Sequence, residues 1–285
     1  MSRKFSPRFA CLSRTVRLVG SVLAVALALV GTAGAQPGTG AGSGWWMAFQ
    51  AGAGTVDGQV RVGEPSPSTP LNLKDDLGMD AAFTFGLEVS GSAGFNNRMR
   101  FSAESLFMSG SKTFDKTVDF DEGSFPPGSS PKADPRFYLV EAEYARVFGE
   151  SGARSHWLLL AGVAYAYLDF RLGDQSEDFY RQEVPMPVLG AGWELNATDN
   201  GTFRVALEGF RYNHLNTGEK EGSTVYLDQQ LVDFWAGWLG HISPRIGWSA
   251  GYRFFSFSQT ENSSEDYNDF HAHLNTLTGS LAFRF

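Results

Sequence analysis

The chain has 285 residues, with 42% hydrophobic and 14% aromatic content, 33 glycines and a formal net charge of −8. A mean hydropathy of −0.19 excludes a bundle of membrane helices, which needs several apolar runs of about 20 residues. High aromatic and glycine content at moderate hydrophobicity fits a membrane β-barrel, whose strands face lipid on one side and a polar interior on the other.

The N-terminus reads as a cleaved signal peptide. Arg3, Lys4, Arg8, Arg14 and Arg17 precede an apolar run from Leu18 to Val30, and Ala33-Gly34-Ala35 supplies a small-residue cleavage site before Gln36. Losing residues 1–35 removes those five basic residues and no acid. The 23 Lys+Arg of the whole chain become 18, against 31 Asp+Glu, a net charge of −13. That charge disfavours nucleic-acid binding. The single cysteine, Cys11, leaves with the same segment, so the mature chain has neither disulfide nor thiol chemistry. Residues 36–44 (QPGTGAGSG) read as a flexible linker, and residues 45–285 as one barrel.

Period-2 alternation predicts ten strands, with eight or twelve as neighbouring even counts. They fall at 45–62, 80–92, 97–117, 135–149, 154–172, 183–197, 201–214, 224–240, 245–258 and 267–285. Short turns at Ala93–Asn97, Glu150–Ala153, Thr198–Gly201 and His241–Pro244 alternate with longer loops at Gly63–Met79, Asp119–Asp134, Gly173–Gln182, Asn216–Ser223 and Gln259–Asp266. This is the pattern of an up-and-down transmembrane antiparallel barrel with both termini on the turn side. A soluble barrel shows the same alternation with its faces exchanged. Long strands, strand-end aromatics (Trp45, Trp46, Trp157, Tyr165, Tyr167, Trp193, Trp248) and the ending Leu277, Gly279, Leu281, Phe283, Phe285 favour the membrane form.

That alternating C-terminal strand closing on Phe285 resembles the assembly signal of bacterial outer-membrane proteins, carried here by Leu281, Phe283 and Phe285. The chain resembles the small OmpA-, OmpX- and OmpW-like barrels and the uncharacterised barrel domains among them, which share the stretch Leu71-Asn-Leu-Lys-Asp-Asp-Leu-Gly-Met-Asp80 running into an aromatic strand. The resemblance implies the cell outer membrane of a Gram-negative bacterium. It also implies lipid and lipopolysaccharide as surroundings, the barrel assembly machinery as a partner during biogenesis, a monomer, no cofactor and no shared catalytic set.

The polar phase places a charge network in the lumen: Glu88, Arg100, Glu104, Glu141, Glu143, Asp169, Arg171, Glu194, Arg204, Glu208, Asp233 and Arg253. In a narrow barrel such charges must pair or be hydrated. The expectation is a largely plugged, porin-like lumen, with a narrow cation-preferring path as the other reading because acids outnumber arginines. Asp269-x-His271, with His273 beyond, resembles half of the site in omptin proteases. Asp75, Asp76, Asp119 or Asp121 are the acids available to complete a protease- or lipid-directed hydrolase. His241-Ile-Ser243 superficially resembles the pairing in outer-membrane phospholipase, but it falls on a turn. His271-x-His273 with Asp266 and Asp269 has metal-ligand residue types, though exposed histidines explain it as well. The phase of Phe285 points His271 and His273 outward and conflicts with Phe270, Ala272 and Leu274 facing lipid. Either a bulge near 274–277 or a polar outward tip resolves the conflict.

Overall fold

The computed structural model describes residues 44–285 apart from 64–68, 95, 122, 151–152, 179–184, 221–222 and 263–266. The signal peptide and most of the linker expected above therefore lie outside the described residues. Ten long strands form the wall: β1 (Trp45–Arg61), β2 (Ala81–Ser92), β3 (Asn97–Met108), β4 (Arg136–Phe148), β5 (Ser155–Leu172), β6 (Met186–Thr198), β7 (Gly201–Lys220), β8 (Ser223–Ser243), β9 (Ile246–Asn262) and β10 (Tyr267–Arg284). Each pairs antiparallel with the next, and β10 pairs with β1, so the sheet closes as an up-and-down barrel.

Several predicted boundaries move: β9 runs to Asn262, into the predicted Gln259–Asp266 loop, and β8 to Ser243, into the predicted His241–Pro244 turn. The third strand stops at Met108 rather than residue 117, and the following residues join the loop side. The predicted Asn216–Ser223 loop is mostly strand, because β7 runs to Lys220 and β8 starts at Ser223. Polar composition hid that hairpin: above a membrane, a strand needs no apolar outer face.

Strand length decides the architecture. At about 3.3 Å per residue, the 21-residue β8 tilted by about 40° rises roughly 50 Å, twice the roughly 25 Å apolar band of an outer-membrane barrel. The wall accordingly has two tiers. In the lower tier Phe49, Phe85, Leu159, Val163, Leu189, Leu207 and Leu277 point outward and are exposed, Leu277 by 73% and Leu189 by 68%. So continuous an apolar exterior suits hydrocarbon rather than water. Aromatics bound it: Trp157, Trp238, Trp248 and Phe283 on the turn side, and Tyr138, Tyr167, Tyr252 and Phe254 on the loop side.

In the upper tier the faces exchange. Val56, Val60, Phe255, Phe257, Phe270, Ala272 and Leu274 are buried inside, while Asp57, Gln59, Ser256, Ser258, His271 and His273 occupy the outer wall. The pairings of β10 with β9 and β1 run unbroken across this change. The conflict at the last strand is thus resolved by a polar outward tip, with no bulge.

Loop residues fill the upper interior. Leu71, Leu73, Leu77 and Met79 are almost fully buried there, beside Val118 and Phe120 of the small Val118–Phe125 hairpin. The motif Leu71–Asp80 builds this cork locally. Asn72 Oδ1 accepts the backbone N–H groups of Lys74 and Asp75 at 2.9 and 2.7 Å, and Asp76 Oδ2 accepts that of Asn72 at 2.7 Å. This is the reciprocal capping of a helical turn. Gly78, at φ +68°, ends the turn in a conformation that favours glycine. The Leu73 N–H docks on the Gly58 carbonyl of β1 at 2.9 Å.

Candidate functional site: a charged belt beneath an apolar cork

Beneath the cork, alternate residues of eight strands point into the lumen and form a belt. Arg253 on β9 donates to both carboxylate oxygens of Asp233 on neighbouring β8, at 2.7–3.0 Å, and to Glu104 on β3 across the barrel. Arg100 on β3 donates to Glu143 on β4 at 2.9 Å and to Glu208 on β7 at 3.1 and 3.2 Å, with Glu141 at 3.8 Å. Arg98 on β3 holds Glu194 on β6 through two bonds of 2.7 and 2.9 Å, and Arg204 lies 4.0 Å from the same carboxylate. Gln50 donates to Glu88, and Ser102 to Glu141. Bonds joining β3 to β6, β7 and β9 can only run through the interior. Arg98 and Arg253 each grip one carboxylate through two nitrogens, which fixes geometry as well as charge.

Placement divides the sequence-derived set. Glu88, Arg100, Glu104, Glu141, Glu143, Glu194, Arg204, Glu208, Asp233 and Arg253 lie in the belt. Asp169 and Arg171 do not. They stand on the outer wall near the loop end of β5, Asp169 facing Arg136 in register, and bond each other at 3.0–3.1 Å. The alternation of β5 had placed its tyrosines and charges together, and the tier change makes that face outward throughout. Arg98 was missed, although it shares the parity of Arg100.

The belt holds seven carboxylates against four guanidinium groups. One cavity of about 10 Å³ sits between belt and upper core, against Glu104, Arg253, Phe137 and Leu274, and another of about 10 Å³ lies beside Arg100, Glu141, Glu143 and Glu208. Such volumes are about the size of one water.

The Asp269–His271 pair forms, but on the outer wall. His271 Nε2 lies 2.9 Å from Asp269 Oδ1, which also accepts from the Thr260 hydroxyl at 2.6 Å, and Gln59 reaches Asp269 Oδ2 at 3.4 Å. The hydrogen bond to Asp269 raises the His271 pKa above its ordinary 6.5. Burial alone would raise that of Asp269, but the bonds from His271 and Thr260 overcome it and hold the carboxyl below its ordinary 3.8. His273 Nδ1 meets the Ser256 hydroxyl at 2.9 Å, and its ring stacks 6.2 Å from Phe254. The acids named to complete a hydrolytic site are elsewhere. Asp75 and Asp76 belong to the cork's helical turn, and Asp119 and Asp121 to the hairpin beneath which Val62 and Thr69 bond. The structure brings none of them to His271. Asp266 lies outside the described residues, and among the described residues no group of three or more His, Cys, Asp or Glu is placed to hold a metal. His241 packs against Trp46 at 5.3 Å while the Ser243 hydroxyl accepts the N–H groups of Arg245 and Ile246, so His241-Ile-Ser243 builds a turn.

Leu281, Phe283 and Phe285 face outward at the turn end, and the Phe285 N–H closes onto the Trp45 carbonyl at 3.0 Å. No protein-family model matches the chain, and no curated protein matches it. Among solved structures it is similar to the outer-membrane protease OmpT of Escherichia coli, at 10% identity over 89% of this chain and 100% of that one, with a TM-score of 0.48. It is similar also to the transport unit of the autotransporter AIDA-I from Escherichia coli, at 11% identity over 93% and 97% with a TM-score of 0.42. A third is Neisserial surface protein A, at 10% over 86% and 100% with a TM-score of 0.33. At these values none bears on the site of this chain. Its own closed ten-stranded wall with an apolar exterior makes it a small barrel of the outer-membrane type.

Proposed function

We propose that this chain is exported by its signal peptide to the outer membrane of a Gram-negative cell. There the barrel assembly machinery reads Leu281, Phe283 and Phe285, and the chain works as a monomeric, sealed barrel. Its role is structural: a rigid stalk that carries the external loops through the lipopolysaccharide layer. The observation that carries this reading is the double closure of the lumen, by arginines bonded across it and by the cork of Leu71, Leu73, Leu77 and Met79 above. The upper tier supports it, since an apolar core inside a polar wall is how a barrel stays rigid in water.

Refolded protein in planar bilayers should give no discrete conductance steps while showing heat-modifiable mobility on gels. Regular steps would overturn the sealed reading. The excess of carboxylates over arginines favours a narrow porin-like cation path as the second reading, and steps with cation-selective reversal potentials would establish it. Solubility of the folded chain without detergent would overturn membrane placement altogether.

A further inference from the structure

Charge in the belt is unevenly matched, and the mismatch gathers at one guanidinium. Arg98 grips Glu194 with Arg204 beside it, and Arg253 holds Asp233 and Glu104. Arg100 is left to serve Glu141, Glu143 and Glu208. A single nitrogen, Nη2, meets Glu143 at 2.9 Å and the two oxygens of Glu208 at 3.1 and 3.2 Å, with Glu141 at 3.8 Å. Its Nε is buried without a partner, so the guanidinium reaches no further acceptor through that atom. One positive charge thus faces three carboxylates. Glu88 on β2, Glu104 on β3 and Asp233 on β8, in register with Glu208, add negative charge around them. Arg204 on β7 and Arg253 on β9 face the group from further off.

The wall is shaped to bring two of the three acids together. β4 and β7 are separated by β5 and β6, yet the carboxyls of Glu143 and Glu208 hydrogen-bond to each other. Between them lie Gly162 of β5, in register with Glu143, and Gly190 of β6, in register with Glu208. A Cβ at Gly190 would sit 2.8 Å from Glu208 Cγ, and one at Gly162 would sit 3.0 Å from Glu143 Cα. The two glycines therefore clear the path over which the acids meet. The cavity beside them, about 10 Å³, has room for about one water. Two ionised carboxylates cannot hydrogen-bond to each other, because neither has a hydrogen to donate. Like charges in contact do not both ionise where so little water reaches them.

We propose that Glu143 and Glu208 share one proton, which clasps β4 to β7 across the lumen. One carboxyl donates its O–H to the other, and Arg100 balances the single charge that the pair keeps. The belt is thereby pH-sensitive: losing the proton turns a hydrogen bond into a repulsion between β4 and β7. The inference goes beyond the structural role and rests on the lumen alone, not on what surrounds the wall.

Infrared spectroscopy of the refolded full chain in phosphatidylcholine vesicles reads the proton directly. At neutral pH the carbonyl band of a protonated carboxylic acid is expected, and isotopically labelled glutamate should shift it. E208Q, whose amide donates to Glu143 as the protonated acid does, should fold and lose the band. E143Q should lose it too, and E141Q should keep it. Between neutral solution and about pH 10, the folding constant of the wild type should fall about tenfold or more relative to E208Q in urea unfolding, because the folded barrel holds a proton that the unfolded chain releases. A wild type without a label-sensitive band overturns the shared proton, and that result needs no variant to fold. A band that survives both E143Q and E208Q overturns its assignment to this pair. A ratio of folding constants that stays level with pH overturns the clasp.

Discussion

Replacing Arg253 by methionine tests whether the belt is a set of bonds or a set of bystanders. The guanidinium makes three bonds to Asp233 and one to Glu104, and all three side chains are mostly buried, at 12%, 14% and 17% exposure. Methionine keeps much of the volume and removes the charge, leaving two carboxylates facing each other without a cation. Breaking a buried pair on one side typically costs about 3–5 kcal/mol, mostly from the stranded charge. R253M should therefore lower the unfolding free energy by about 3–5 kcal/mol, or roughly two to three and a half orders of magnitude in the folding constant. The triple variant E104M/D233L/R253M removes charge and partner together and should return to within about 1 kcal/mol of the wild type. Urea unfolding in phosphatidylcholine vesicles, followed by the fluorescence of the seven tryptophans, reads both. A loss below about 1 kcal/mol for R253M, or a triple variant as unstable as the single one, would refute the reasoning.

The two tiers make opposite predictions for one substitution on one face of one strand. L277R, in the lipid-facing band of β10, should cost about 2–4 kcal/mol in vesicles, whereas H271R, six residues along the same outward face, should stay within about 0.5 kcal/mol. Equal effects would remove the boundary between tiers. The Asp269–His271 pair sets a pH window. Because the His271 pKa is raised in the folded chain, its contribution is complete below about 6.5 and fades as pH rises through the raised value. Because that of Asp269 is lowered, its contribution is complete above about 3.8 and fades as pH falls through the lowered value. The stability difference between wild type and H271Q should thus peak near pH 5–6, at about 1 kcal/mol or less because the histidine is more than a third exposed, and shrink as the solution turns alkaline. A difference that grows with pH contradicts the assignment. L73A, which empties part of the cork, should cost about 2–5 kcal/mol in the same urea assay; a loss below about 1 kcal/mol would mean that the cork does not hold the upper core together.

How far the sequence could be read depends on which tier a residue occupies. Glu141 and Glu143 against Val140, Ala142 and Tyr144 give the inward face of β4 directly, because the charges there lie in the belt, although Phe137 and Leu139 take the same inward face higher up. On β5 and β10 polarity misleads. Leu168 and Phe170 are buried inside as the core of the upper tier, while Asp169 and Arg171 stand outside, and polarity alone assigned the charged residues to the lumen. Period 2 reports only that two faces differ. Which one is wet reverses with height, and the sequence carries no ruler until the register between strands is known. His271 shows the consequence most sharply. Its spacing from Asp269 looks catalytic because Asp-x-His puts both side chains on one face, and they do share a face and a bond. The neighbours that would turn a bonded pair into chemistry come from loops in the opposite half of the chain, Asp75 and Asp76 in one and Asp119 and Asp121 in the other. The first loop packs into the upper core through Leu71, Leu73, Leu77 and Met79 and holds Asp75 and Asp76 in its capped turn. The hydrophobic effect that seals the lumen is therefore the same force that keeps the acids and the histidine apart, and only the motif's apolar residues, not its charged ones, announced where it would go.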